Sequence, residues 1–356
     1  MQKRLFIGIL LLIMLLGNSC SIEDKYAPIN EYANIDLSQV PFSTLSEYGF
    51  FSGDMNALNP VQGVYPYSLT SPSFADYSSK ERFIYLPEGT YMEYQGDFNS
   101  LKFPIGTIII KNFMYYNDIR DKSLGRKIIE TRLLVKKETK WKPFSYKWND
   151  EQTEAIRLIV GGTITASTIA HDGNLKEITN YVIPRELDCR TCHNLYEEMT
   201  PIGPKPANLN RSLEDDPSEN QLDYFVEEGI LSGMPTSISQ IPDYSDSSLD
   251  PITRGKAYLD ANCAYCHRQG GTANANGLFI NWDYDEEGIH TGVFKIPTNY
   301  NAPDLQYDIV PGNPDQSILL YRMTQTEAPD IMPQIGRSIN DDIGIEIVRE
   351  YILNLE

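Results

Sequence analysis

Cysteine and histidine are scarce in this chain of 356 residues, five of the first and four of the second. Cys20, Cys189, Cys192, Cys263 and Cys266 are the whole supply, and four of them fall into two close pairs. That leaves no spare thiols for a disulfide framework joining distant elements. Positive charge is short as well: 30 Lys and Arg stand against 49 Asp and Glu, a formal net charge of −19. A nucleic-acid partner wants a basic stripe to neutralise phosphates, so the balance argues against one. An acidic surface aids solubility, and it also suits docking to a basic protein partner steered by the long-range field. Length allows two or three domains. The 23 tyrosines suit packed β-structure.

What the few cysteines do is set by their surroundings. Both pairs read C-x-x-C-H: Cys189-Arg190-Thr191-Cys192-His193 and Cys263-Ala264-Tyr265-Cys266-His267. This is the attachment pattern of a c-type haem. Two thiols add across the vinyl groups to give thioethers, and the following histidine stands under the iron as proximal ligand. A four-cysteine zinc site would also use two C-x-x-C pairs, but needs no histidine after each. Redox-active C-x-x-C disulfides need none either, and expect a βαβ setting. The sequence therefore predicts two covalently bound haem c groups.

The N-terminus agrees with that chemistry. Lys3 and Arg4 precede an apolar run from Leu5 to Leu16, then small residues, the layout of a secretory signal over 1–19. Gly17-Asn18-Ser19-Cys20 resembles a bacterial lipoprotein cleavage site, with Gly17 standing where an aliphatic residue is usual. Cys20 would then carry the lipid, and several acyl chains anchor a protein stably. A plain cleaved signal followed by a stray cysteine is the competing reading. Export suits covalent haem, which bacteria attach outside the cytoplasm. The expected location is periplasmic or on the outer membrane.

Along the mature chain, 20–34 is polar and aperiodic, a tether. From 35 to 183 the pattern is that of strands: Phe103–Phe113, Ile128–Val135 and the alternating Trp141, Phe144, Tyr146 and Trp148. Gly161-Gly162 reads as a hairpin turn between Ala155–Val160 and Thr163–Ile169. Short strands at regular spacing predict a sandwich or a partly open barrel, with scaffolding or docking as its role. The first haem-binding region spans 184–249, with a short helix over 220–231. In the last region, 250–356, Ile252–Asn262 reads as a helix running into Cys263. Ile343, Ile347, Val348, Tyr351 and Ile352 fall on one helical face. The fold expected is multidomain, an all-β N-terminal domain followed by mainly α haem domains like cytochrome c.

A sixth ligand decides what each iron does. Met332, in a Met-Pro step, is the candidate for the second haem; Met323, at the end of a helix, competes. For the first haem Met234 is the candidate, again before a proline, with Met199 too close to His193 to reach the opposite face. His171 and His290 are rivals for that iron. Arg254, Arg322, Arg337 and the tyrosines are candidates to pair the haem propionates or support the ligands.

Taken together, Phe103–Lys111, Ile129–Val135, 148–155, Cys189–Asn194, 220–222, Arg254–Arg268, Pro311–Arg322 and Met332-Pro333 resemble the secreted diheme c-type cytochromes with a β-rich N-terminal region. The resemblance implies a class I cytochrome c-like C-terminal domain. It further implies electron transfer from a periplasmic or surface donor, such as a quinoprotein dehydrogenase, towards the respiratory chain. Redox protein partners, donor and acceptor, are implied, with the membrane reached through the lipid. Two other functions compete: a diheme peroxidase-type enzyme, which needs an open sixth position, and a glycan- or protein-binding β-module with an electron-transfer tail.

Overall fold

The computed structural model describes residues 29–33, 35–284, 288–302 and 304–356, with the side chains of 29–31 left aside. The signal 1–19 and the lipidation site Cys20 lie outside the described residues, as does most of the tether 20–34. The end of that tether, Ile29–Tyr32, is a strand beside Asn59–Gln62. Among the described residues no helix is long and apolar enough to cross a membrane.

The centre is a six-stranded antiparallel sheet whose spatial order, from one edge, is Ala155–Arg157, Trp141–Trp148, Arg126–Lys136, Ile108–Tyr116, Ser79–Tyr85 and Val64–Tyr67. Its middle strand explains the run Ile108-Ile109-Ile110. A strand covered on one face alternates apolar and polar residues, whereas one covered on both is apolar throughout. Ile108 and Ile110 enter a core with Tyr85, Leu133, Val135 and Tyr146 on one face. Ile109 joins Ile84 and Leu134 in a second core on the other. Gly162–Ile169 and Leu175–Ile183 form a separate hairpin whose turn contains His171. Gly161-Gly162 is therefore not a hairpin turn but the step from the large sheet to this hairpin. Gly161 has φ +72°, and a Cβ there would meet the Ile183 carbonyl at 2.7 Å, so only glycine fits.

Six helices are described: α1 (Cys189–Cys192), α2 (Pro206–Leu209), α3 (Gln221–Glu227), α4 (Pro251–Asn262), α5 (Ile318–Thr324) and α6 (Asp342–Leu353). They correct the expectation of mainly α cytochrome c-like domains following an all-β one. The molecule is dominated by β-sheet, its helices are short, and most of the chain after residue 183 is turn and loop. Residues 184–249 do not build a helical core of their own. Leu209, Leu222, Phe225, Ile230 and Leu231 pack into the second face of the sheet, and Leu231–Ser232 pairs in parallel with Met92–Glu93. The physical reason is the sheet's second apolar face, which must be covered. These residues supply the cover.

The last region has one firm helical crossing. Asp250 caps α4 by accepting from Thr253 N at 2.9 Å, with Pro251 at the first helical position. Asp341 caps α6 through Gly344 N at 2.9 Å and accepts from the Tyr258 hydroxyl at 2.9 Å. At the crossing, a Cβ on Gly255 would collide with Tyr351, and one on Gly344 with Tyr258. Tyr258, Leu259, Ile347, Val348, Tyr351 and Ile352 form the core there.

Candidate functional site

Each C-x-x-C-H motif is held by its own backbone. His193 N donates to Cys189 O at 2.9 Å, and His267 N to Cys263 O at 3.0 Å, one closed turn in each case. The leading elements differ. Cys263 closes the 12-residue helix α4, its N–H bonded to Leu259 O at 2.9 Å. Cys189 opens the four-residue α1 directly after a strand, Pro184 and a short 3-10 turn at Glu186–Asp188. The motifs touch: the Cys266 thiol donates to the Thr191 carbonyl at 3.2 Å. Cys189, Cys192, Cys263 and Cys266 are all free and half-buried.

Two cavities open beside them. The first, about 550 Å³, is lined by Cys189, Cys192 and His193 on one side and by Arg82, Lys111, Phe113 and Arg132 of the sheet on another. The second, about 410 Å³, is lined by Cys263, Cys266 and His267, facing Met323, Met332 and Pro333, with Tyr300, Arg322, Lys295 and Asp308 on its rim. Cys192, Cys263, Tyr265 and Met332 border both.

Both histidines are set up as neutral bases. His193 Nδ1 lies 2.9 Å from the Thr200 carbonyl, a contact that makes Nδ1 the protonated nitrogen and leaves Nε2 its lone pair. Burial is the main cause that brings its pKa down to about 4, and the charges of Lys111, Arg132 and Arg268 add to it. His267 is likewise pushed down to about 4, by burial first and then by Arg322 and Lys295. Its Nδ1 is buried with no hydrogen bond of full geometry among the described residues, and a backbone contact at Leu278 opposes the effect of burial.

The other predicted residues separate cleanly. Met332 is presented by a loop clasped by Arg337, which donates to the carbonyls of Met332 (at 3.0 and 2.7 Å), Arg322, Met323, Gln325 and Ile339, and to Asn340. Arg337 is thus committed to backbone oxygens. Arg254 is held by Tyr244 O and Glu350. Arg322 donates to the carbonyls of Pro329 and Asp330 and lies 4.1 Å from the centroid of the Tyr300 ring. Met323 is buried in the helical core as well as bordering the cavities. Met234 and Met199 pack against the Leu209–Phe225 side of the sheet core, and neither is among the residues lining the first cavity. His171 and His290 are exposed, the latter stacked on Phe279 with Nδ1 2.8 Å from Gly277 O. Sequence reasoning missed the sheet's contribution, Arg82, Lys111 and Arg132. The signal was present in Ile110-Lys111-Asn112, a charge and an amide interrupting the apolar run from Ile108 to Tyr116.

Compared with known protein families, curated proteins and solved structures, the chain matches none of them. The resemblance to the diheme cytochromes is therefore corrected: no match supports it, and the β-dominated fold with short helices departs from the cytochrome c-like domain it implied. Classing the chain as a cytochrome or a metal-binding protein falls with it. Among the described residues no three of His, Cys, Asp and Glu form a group that would hold a metal ion. What stands independently of the family is the chemistry of the motifs. A covalently attached haem asks for two free thiols and one unprotonated imidazole on the wall of a cavity. The buried His267 nitrogen beside Cys263 and Cys266 fits that demand, as does the tautomer of His193 beside Cys189 and Cys192.

Proposed function

We propose that the chain is an exported protein that carries two covalently attached haems and passes electrons between a donor and an acceptor protein, anchored to the membrane by lipid on Cys20. The observation that carries this reading is the repeated donor set: in each motif two free thiols and a neutral imidazole border one cavity. The attached group would supply one-electron redox chemistry. Cys189 and Cys192 would hold one haem, with His193 as its ligand. Cys263 and Cys266 would hold the other, with His267 and Met332 as its candidate ligands. The protein's own part is to fix the imidazole tautomer, to present Met332 from the Arg337-clasped loop, and to keep the two motifs in contact through Cys266 and Thr191. Contact between the motifs favours a relay over two independent sites. The net charge of −19 suits a basic redox partner.

Absorption and EPR spectra of the full-length protein, oxidised and reduced, test the reading. A carrier gives two low-spin signals and no turnover of peroxide; a high-spin ferric signal that reacts with peroxide would contradict it. Replacing Met332 with Ala should abolish the methionine–iron charge-transfer band and lower one potential. An unchanged spectrum would remove Met332 from the site.

A further inference from the structure

The sheet holds a feature that neither scaffolding nor the two motifs account for. Its register places Arg82 directly opposite Lys111, and Lys111 directly opposite Arg132. Three cations on adjacent strands share one face, in the row next to Ile84, Ile109 and Leu134. Like charges directly opposite one another destabilise a sheet, and burying unpaired charge costs more. The row nevertheless runs into the molecule: Arg82 is only 8% exposed, Lys111 is half-buried and Arg132 keeps 28% of its side chain accessible.

Local partners do not satisfy it. Among the described residues Glu130 accepts from Arg132, and from the Tyr181 hydroxyl at 2.5 Å, while the Glu214 carboxylate acts on Arg82 by its charge. Arg82 Nη2 and Arg132 Nε are buried with no hydrogen-bond partner among the described residues. Lys111 has no hydrogen bond there either; its nitrogen lies 4.8 Å from the centroid of the Phe113 ring. All three side chains line the first cavity, across from Cys189, Cys192 and His193. Donors are left open on a cavity wall whose own carboxylates, Asp188, Asp260, Asp283 and Asp341, accept from Arg185, Lys205, Asn281 and Tyr258, which describes a site whose anion comes from elsewhere.

We infer that the row Arg82–Lys111–Arg132 is an anion site on the wall of the first cavity that takes carboxylate groups. Guanidinium groups match carboxylates in shape and donate two parallel bonds to them, and a bound carboxylate turns the mutual repulsion of the row into shared attraction. The carboxylates belong either to the haem attached at Cys189 and Cys192 or to a free organic acid entering the same cavity. Only the first source rests on the function proposed above. The sheet is then part of the site, not a scaffold behind it.

The test uses full-length protein matured with haem, as wild type, Lys111→Met and Arg82→Gln, with succinate as the free-acid probe. Intact mass gives the number of haems, thermal unfolding gives stability, and a spectroelectrochemical titration gives the potentials. With the anion in place, each variant lowers the unfolding midpoint by about 3 °C. If the carboxylates are the haem's, one potential of two falls and millimolar succinate changes nothing. If they come from a free acid, succinate raises the midpoint of the wild type and not of the variants. A midpoint that rises or stays put in both variants, with succinate giving the wild type no protection, overturns the site, because relief of repulsion with no anion to lose is what a row that binds nothing would show. Should the chain carry no haem, the haem reading fails separately. Succinate protection then decides the anion site alone: protection of the wild type supports it, and none overturns it.

Discussion

The two C-x-x-C-H motifs share a spacing and a backbone turn, and are supported in different ways. The second closes a capped 12-residue helix braced by α6. The first sits on a single helical turn between a β-hairpin and loops, and leans on the large sheet. Their cavities differ in the same sense. In the second, Lys295 donates to Asp308 at 3.1 Å and to Ile296 O at 3.2 Å, and Arg322 is bonded to carbonyls, so the cations are internally balanced. In the first, buried donors of Arg82 and Arg132 are left open. The same five-residue pattern thus borders one cavity whose cations are paired and one whose cations are not. The unpaired cations of the first cavity call for an anion from outside the chain, and the paired ones of the second do not.

The comparison can be broken at the thiols, with the largest effect. Replacing Cys189 and Cys192 by Ser should remove one haem of two and leave a protein whose remaining spectrum keeps the methionine–iron band. Replacing Cys263 and Cys266 should also remove one haem, and this time the band as well. Intact mass with absorption spectra checks both halves, and loss of the band from the first pair would reverse the assignment.

Another variant makes the second cavity resemble the first. Asp308→Asn leaves Lys295, 6% exposed at its side chain, as a buried cation without its carboxylate. Removing one partner of such a pair is expected to cost about 3 kcal/mol, read as a lower denaturant midpoint with an unchanged slope. The analogous loss at the first cavity, Lys111→Met, has no internal pair to break.

The smallest effect concerns the joint between the sheet side and the last region. The Asp76 carboxylate accepts from Ser338 N at 2.7 and 3.0 Å, Ser338 Oγ at 2.8 Å and Ile339 N at 3.2 Å. Burial is the main cause that raises its pKa above the usual carboxylate range, and those donors oppose it. A folded-state pKa above the unfolded one means that the folded chain keeps a proton the unfolded chain has released. Between the unfolded and the folded values, stability therefore falls as pH rises. Asp76→Asn should remove that slope, so that the unfolding midpoint of the wild type falls relative to that of the variant as pH rises from 4 to 7. A difference independent of pH would show that Asp76 does not titrate in this window.

Much of the local structure was legible because it is written in local chemistry. The strands at Ile128–Val135 and Trp141–Trp148 follow from alternation and β-branching, and α4 and α6 from their periodicity and their aspartate caps. What could not be read is what depends on pairing. Gly161-Gly162 has the composition of a hairpin turn, yet the strands on either side pair with other partners. The expectation of mainly α domains failed because Leu222, Phe225 and Ile230, a plausible helical face by spacing, are spent covering a sheet. The cationic row was invisible for the same reason: Arg82, Lys111 and Arg132 are far apart in sequence and become neighbours only through register. Met332 and Met234 share a Met-Pro step, but only Met332 borders a cavity that also holds a C-x-x-C-H motif. Dipeptide context does not say which surface a loop will face.

The most direct measurement is the intact mass of the full-length protein purified from cells that attach c-type haem, before and after denaturation. The account predicts a polypeptide heavier by two haems that stay bound after unfolding, lost one at a time when either cysteine pair is replaced. A bare polypeptide with its four motif thiols free to alkylation would contradict it.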